Sequence, residues 1–235
     1  RGAPLRLLDV SVWGMLWLVS RNEKWHTLAQ FKGQEIAMPF RADMPDILFQ
    51  LLARQQGLNP ARDFRLRYVA SPLEAMQLLI TRRVDHALLA EPAISMALRK
   101  TQSFPVSIVA PQLHRSVNLQ QEWARMFHRA PEIAQAGVAA VGNVRQDAAL
   151  LHQVRAALAE AHAWCWANPK ACGEMVNRHA PMLQAEAVAD SLLAVPAVWR
   201  SAHDARAELE FLFNHLLQSQ PAVLGGKLPD DGFYF

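Results

Sequence analysis

The sequence predicts an α/β protein that ends in a layer of helices, and three observations support this. Strands and helices alternate between residues 35 and 90, as in the crossover units that build a parallel sheet. Helical periodicity without intervening strands dominates from residue 147 to residue 218. The 235 residues are 51% hydrophobic and 19% charged, which is enough apolar material for a core and too little charge for a disordered chain.

The first half of the chain is predicted to form most of the sheet. Leu5–Val19 is rich in Val, Leu and Trp and predicts two strands or one long bent strand. The next five elements are the strand Glu35–Phe40, the helix Met44–Gln56, the strand Phe64–Val69, the helix Pro72–Thr81 and the strand Asp85–Ala90. Gly57 ends the first of these helices as a C-cap.

The second half is predicted to be mainly helical. Residues 93–130 are interpreted as helix and loop, and Gly137–Val144 as one further short strand. Helical periodicity then covers Asp147–Ala167, Lys170–His179, Ala185–Leu193 and Ala202–Gln218 with no strand between them. Because helices with an apolar face must pack against something, these helices need the sheet of a second lobe.

Charge and cysteine content exclude several functional classes. The 24 basic and 21 acidic residues are scattered, without the basic stripe that a nucleic-acid groove needs, so we expect no nucleic acid as a partner. Leu7–Val19 is too short to cross a bilayer. Cys165 and Cys172 lack the spacing of a zinc site, and they are either disulfide-bonded or buried as small apolar groups.

Several segments, taken in order, resemble one known family. They are Phe31–Ala37 (FKGQEIA), Asp43–Asp46 (DMPD), Val69–Ala75 (VASPLEA), Val84–Pro92 (VDHALLAEP) and Gly225–Tyr234 (GGKLPDDGFY). The ordered set is similar to the substrate-binding proteins of bacterial ABC importers, above all the nitrate, sulfonate, bicarbonate and thiamine-pyrimidine group. The resemblance covers essentially the whole chain.

The resemblance implies a two-lobe periplasmic-binding-protein-like fold of type II. Residues 20–136 would form an inserted α/β lobe, and residues 1–19 and 137–235 would supply the crossover strands and the C-terminal helices of the first lobe. A two-lobe protein is expected to have about 300 residues, so we expect the opening part of the first lobe to be absent. A shortened chain, a misplaced gene start and cover by a partner chain all remain open as explanations.

The function implied by the resemblance is that of a non-enzymatic receptor, periplasmic or anchored outside the inner membrane. It would bind a small molecule in a cleft by hinge closure, deliver it to the membrane permease of an ABC importer, and need no cofactor. Self-association through the incomplete lobe is a further expectation. The alternatives are an enzyme of the same fold, related to thiamine-pyrimidine biosynthesis, and an effector-sensing module.

The candidate ligand-binding residues follow the predicted strands. Open α/β sheets bind ligands at the carboxyl ends of their strands, where the free amides of helix N-termini also lie. The candidates are Trp13, Gly14, Phe40, Arg41, Ala42, Asp43, Met44, Ser71 and Glu91. Asp43, Glu91 and the aromatic residues favour a neutral or cationic, partly apolar ligand, whereas Arg41 either pairs with an acid or binds an anion directly.

Four of these candidates also have a structural interpretation. Asp43 and Ser71 occupy positions typical of helix N-caps. Glu91 is either solvated at the sheet edge or directed into the cleft, and Trp13 either packs in the core or forms an aromatic wall.

Overall fold

The structure, a computed structural model, describes residues 4–110 and 112–235, which group into two compact units. Unit 1 contains the described residues up to Gly14 together with Ile133–Asn168 and Pro196–Phe235. Unit 2 contains Met15–Glu132 and Pro169–Val195. The units differ from the lobes expected from the sequence in the placement of residues 15–19, 133–136 and 169–195, so those lobe boundaries stay a prediction.

The elements have the following bounds. The strands are β1 Leu5–Trp13, β2 Leu16–Ser20, β3 Glu35–Pro39, β4 Arg65–Val69, β5 His86–Ala90, β6 His114–Asn118, β7 Ala134–Val141 and β8 Arg200–Ser201. The helices are α1 Met44–Gln55, α2 Pro60–Asp63, α3 Pro72–Ile80, α4 Ala93–Gln102, α5 Val106–Val109, α6 Leu119–Phe127, α7 Ala148–Ala167, α8 Pro169–His179, α9 Ala185–Ala194 and α10 Ala202–Ser219. Short 3-10 turns cover Leu28–Phe31, Gly142–Gln146, Pro221–Leu224 and Asp231–Phe233.

Unit 2 is built on a five-stranded sheet with the order β4-β3-β5-β2-β6. β3 runs parallel to β4 and β5, and β2 lies antiparallel between β5 and β6. Helices α1 and α6 pack on one face, and α3 and α4 on the other. Successive residues on a strand face opposite sides, so the full burial of both Leu18 and Val19 shows that the sheet is covered on both faces.

Two helices far along the chain complete unit 2. α9 packs against α4, and α8 packs against α9. Ala187 of α9 is fully buried in the core cluster that also contains Met96 and Ala97 of α4. Arg99 of α4 donates two hydrogen bonds to the Asp190 carboxylate, at 2.5 and 2.8 Å.

Unit 1 has a smaller sheet of three antiparallel strands with the order β7-β1-β8. The pairing of β1 with β7 is irregular, and the two backbones approach closely at Gly137. A Cβ atom at Gly137 would lie 2.1 Å from the Asp9 carbonyl oxygen, so only glycine fits there. Val10 and Trp13 pack with Leu209 of α10 and with Tyr234 in one core cluster.

α7 is the most exposed long element of unit 1. Only Leu151 of its twenty residues is buried, where it packs with Leu8 and Ala140. Val154 and Trp164 on the same helix are 36% and 40% exposed. The helix therefore contributes little buried apolar surface to its unit.

The α/β class and the helical C-terminal part predicted from the sequence are confirmed. Leu5–Val19 forms two strands, and β7 begins three residues earlier than predicted. Two predictions were wrong. The region 93–130 also contains β6, and the C-terminal part contains the two-residue strand β8. β6 carries the polar sequence His-Arg-Ser-Val-Asn and β8 pairs over only two residues, so neither shows strand periodicity.

Two further properties concern the whole described chain. Both Cys165 and Cys172 are disulfide-bonded, which decides between the two alternatives that the sequence left open. Among the helices of residues 4–110 and 112–235, none combines the length and the apolar character that a membrane span requires.

Candidate functional site

Seven of the nine candidate residues lie at one edge of the unit 2 sheet. β3, β4 and β5 are parallel, so their carboxyl ends meet at this edge, which we call the carboxyl edge. Helices α1, α3 and α4 begin directly after these strands. Their N-termini therefore bring free backbone amides and the positive ends of three helix dipoles to the same edge.

The loop after β3, residues 40–43, has an unusual backbone. Phe40 and Ala42 adopt the left-handed conformation with φ of 56° and 62°, which is uncommon for residues with a side chain. Each such residue costs about 1–3 kcal/mol and persists only where its surroundings enforce it. Phe40 is 41% exposed, and Arg41 and Ala42 are exposed as well. The strained loop therefore presents its side chains to solvent.

A buried carboxylate holds this loop in place. Asp46, which is 1% exposed, accepts a hydrogen bond from the Ala42 amide at 2.8 Å and one from Gln50 at 2.7 Å. Within the loop, the Asp43 amide donates to the Phe40 carbonyl oxygen at 3.1 Å. These contacts offset the backbone strain, and they explain why the carboxylate comes three residues after the helix cap.

Tyr68 connects the same carboxylate to Arg41. Its hydroxyl donates to Asp46 at 3.1 Å, and the guanidinium carbon of Arg41 lies 5.2 Å from the centre of its ring. Burial, with the nearby negative charge of Asp46 as a second cause, raises the pKa of Tyr68 to about 12. The phenol therefore stays protonated and keeps donating to Asp46 at physiological pH.

The caps predicted at this edge are present in the structure. Asp43 begins α1 and accepts from the Met44 amide at 2.8 Å. Ser71 begins α3 and accepts from the Glu74 amide at 3.1 Å, while the Glu74 carboxylate accepts from the Ala70 amide at 2.8 Å. The structural interpretation of Asp43 and Ser71 is therefore confirmed, and a ligand-binding role for either residue stays a prediction.

Glu91 is neither solvated nor free. It is 3% exposed and accepts two hydrogen bonds from Arg115, at 2.5 and 3.1 Å, and one from the Ser95 amide at 3.0 Å. Arg115 also donates to the Ser95 hydroxyl at 3.0 Å. A carboxylate held in this way stabilises the start of α4 and has little capacity left for a ligand, which favours a structural role for Glu91.

Trp13 and Gly14 belong to unit 1 and not to the carboxyl edge. Trp13 is 1% exposed, its indole donates to the Val10 carbonyl oxygen at 2.9 Å, and Arg200 lies 4.8 Å over its ring. This environment favours core packing over an aromatic wall. Gly14 has a φ of 64° and donates its amide to the Ile133 carbonyl oxygen at 2.9 Å.

Three residues that matter at this edge were missed as functional candidates. Asp46, Tyr68 and Arg115 were not among the nine candidates. Tyr68 and Arg115 lie within strands, and their partners are separated from them by 22 and 24 residues. The polar residues inside short strands were a usable signal, but a strand pattern does not reveal which neighbour they contact.

Solved structures share this fold, although the sequence matches no family profile and no curated protein. An ABC transporter structure from Parabacteroides distasonis is 22% identical, with a TM-score of 0.77 over 100% of this chain and 75% of that chain. The periplasmic aliphatic sulphonate binding protein SsuA from Escherichia coli is 19% identical, with a TM-score of 0.68 over 97% and 72%. A ligand-binding component of an ABC-type import system from Staphylococcus aureus is 12% identical, with a TM-score of 0.68 over 100% and 72%.

The chain has the fold of the binding proteins of ABC importers. The fold expected from the ordered motifs is thus confirmed, with strong structural similarity despite low sequence identity. The three neighbours are all longer than this chain, which covers about three quarters of each.

Proposed function

We propose that this protein is a solute-binding receptor of an ABC import system, which binds a small organic molecule or ion at the carboxyl edge of unit 2. The observation that carries the proposal is the loop 40–43, with two strained residues held by a buried carboxylate and with exposed side chains. Backbone strain of this kind is concentrated at functional sites, because it positions groups that a relaxed loop would not hold. The same edge collects the N-termini of three helices, which suit polar groups of a ligand.

The structural neighbours support a role in transport. One is a sulphonate-binding protein and another is a nitrate-binding protein, NrtA from Synechocystis. Both are periplasmic, and we extend this location to the present chain, either free or anchored outside the inner membrane. The disulfide-bonded cysteines agree with an oxidising compartment.

The proposal includes the finer expectations from the sequence. The receptor closes its lobes on the solute by a hinge motion and then passes the solute to a membrane permease. It acts as a binding protein and carries out no reaction on the solute. The alternatives, an enzyme of the same fold or an effector-sensing module, have no specific support from the arrangement at the carboxyl edge.

A binding screen with a matched pair of variants tests the proposal. Small organic solutes and inorganic oxyanions are screened by thermal shift, and every hit is measured by calorimetry with the Phe40→Ala and Phe104→Ala variants. Phe40 lies in the loop, whereas Phe104 is 81% exposed elsewhere in unit 2. We expect Phe40→Ala to weaken binding about tenfold through loss of an aromatic contact, and Phe104→Ala to leave it unchanged. Equal affinities of the two variants, or no hit at all, would contradict the proposal.

A further inference from the structure

Arg41 occupies a special position at the carboxyl edge. It is an exposed cation between Phe40 and Ala42, the two residues with left-handed backbone. The strained backbone therefore fixes the position from which the Arg41 side chain extends. Its guanidinium group rests over the ring of Tyr68. Within the described part of the chain, no carboxylate forms an ion pair with Arg41.

The carboxylates of the same edge are already engaged. Asp46 accepts from Ala42, Gln50 and Tyr68, and Glu91 accepts from Arg115 and Ser95. The exposed acids Asp43 and Glu74 each accept from a backbone amide near the start of a helix. Among the described residues, Arg41 is therefore a cation of the edge that no carboxylate engages, and the neighbouring helix N-termini add to its positive potential.

Tyr68 and Asp46 determine where Arg41 rests. A phenol that donates to a carboxylate gains electron density in its ring, and a richer ring attracts a cation over its face more strongly. Asp46 also binds the Ala42 amide, so a single buried carboxylate holds both the loop backbone and the ring beneath the guanidinium group. Arg41 itself is exposed, so the side of its guanidinium group that faces away from the Tyr68 ring is accessible.

We propose that Arg41 selects an anionic solute, and that Tyr68 and Asp46 act as positioning residues that hold its guanidinium group ready for the anion. The inference rests on the proposed receptor function and names its ligand class, a small organic anion such as a carboxylate. It reverses the preference for a neutral or cationic ligand that the acidic residues suggested. The planar guanidinium fork matches an oxyanion, and the neighbouring Phe40 provides an apolar contact for the rest of the molecule.

A set of solutes of equal length and different charge tests the ligand class. Pentanoate, pentanamide and pentylammonium are titrated into the wild-type protein and into the Arg41→Gln and Arg62→Gln variants. Arg62 is the control, an exposed arginine of unit 2 in α2. We expect pentanoate to bind most tightly, with a loss of tenfold to hundredfold in Arg41→Gln and no change in Arg62→Gln.

The outcomes separate the inference from the proposed function. Preferential binding of pentylammonium or pentanamide that depends on Phe40 overturns the anion selectivity and leaves the receptor function standing. Equal pentanoate affinity in Arg41→Gln and wild type also overturns the inference. If none of the three solutes binds and the wider screen finds no other ligand, the receptor function fails and the inference fails with it.

The positioning role is tested with Tyr68 variants that keep or remove the aromatic ring. Tyr68→Phe keeps the ring and should reduce pentanoate affinity by only a few fold, whereas Tyr68→Leu should approach the loss seen in Arg41→Gln. In an Arg41→Gln background the same two Tyr68 variants should have almost no effect on affinity. Tyr68→Leu with wild-type affinity and an intact fold, or equal losses in both backgrounds, would overturn the positioning role.

A spectroscopic measurement checks the Tyr68–Asp46 contact without any ligand. Tyr68 and Tyr234 are the two tyrosines of the chain, so the Tyr234→Phe variant reports the ionisation of Tyr68 alone by ultraviolet absorbance. Adding Asp46→Asn should lower the pKa of Tyr68, because a negative charge that opposes ionisation of the phenol is removed. An unchanged pKa in a folded double variant would overturn the coupling between the two residues.

Discussion

Unit 2 carries five strands with helices packed on both faces, whereas unit 1 carries three strands and a long helix, α7, with one buried residue. The helix α1 of unit 2 buries seven of its twelve residues. A helix in a protein is stabilised mainly by burying an apolar face and only weakly by its own propensity. The comparison teaches that the long helix α7 of unit 1 forms with far less tertiary support than the shorter helix α1 of unit 2, although α10 of unit 1 buries five residues.

The largest expected difference between the units is in local stability. In native-state hydrogen exchange, we expect the free energy of local opening to be several kcal/mol lower for α7 than for α1. The reason is that opening of α7 breaks few buried contacts. Both helices are measured in the same sample, so α1 serves as the internal reference. Equal protection of the two helices would show that α7 has support beyond its own unit's core.

Within unit 2, the strongest single effect is expected at the Glu91 ion pair. Glu91→Gln removes the charge that Arg115 is paired with, and should lower the free energy of unfolding by about 3 kcal/mol. This is the low end of the range for a buried pair, because the Arg115 side chain is 30% exposed. Denaturant titration measures the change.

The control for Glu91 is the same substitution at Glu74, an exposed carboxylate at the same edge. Glu74→Gln should change the free energy of unfolding by less than about 0.5 kcal/mol, since the amide oxygen can still accept from the backbone. Similar effects of the two substitutions would contradict a structural role for Glu91.

Unit 1 contains a carboxylate that works against its stability. Asp9 is fully buried, and neither of its carboxylate oxygens has a hydrogen-bond partner of normal length and angle. Burial raises the pKa of Asp9 above its usual value, although the nearby Val138 backbone favours the charged form. A raised pKa in the folded state means that stability is lost as the pH rises. Asp9→Asn should therefore stabilise the protein at pH 7 by about 1 kcal/mol, with the gain disappearing below pH 3.8.

Melting temperatures measured between pH 3 and pH 8 test this pH dependence. Asp230→Asn serves as the control, since Asp230 is an exposed aspartate of the same unit. A stabilisation by Asp9→Asn that is independent of pH would show that the charge of Asp9 is not its cause.

The smallest expected effect concerns the strained loop of unit 2. Ala42→Gly relieves a left-handed backbone at the cost of greater freedom in the unfolded chain, and should raise the free energy of unfolding by about 0.5–1 kcal/mol. If the strain serves ligand binding, the affinity for a solute should fall in the same variant. Destabilisation by Ala42→Gly would show that the loop is not strained at this position.

Much of unit 2 could be predicted from the sequence by itself. The alternation of apolar strands and amphipathic helices from residue 35 to 90 determined the parallel part of the sheet, and Asp43 and Ser71 identified the helix starts. These features depend on neighbours within a few residues along the chain. The carboxyl edge could be located for the same reason, because the order of the elements alone brings the strand ends together.

The tertiary structure decided how each charge at that edge is used. Arg115 neutralises Glu91 from a strand that the sequence did not predict, and Tyr68 of β4 reaches Asp46 of α1, the helix that follows the neighbouring strand β3. The same carboxylates were therefore open to opposite interpretations in the sequence, as ligand-binding groups or as structural ones. The physical reason is that a buried charge is stabilised by whichever donor lies within about 3 Å, and sequence spacing does not contain that distance for residues brought together by a sheet.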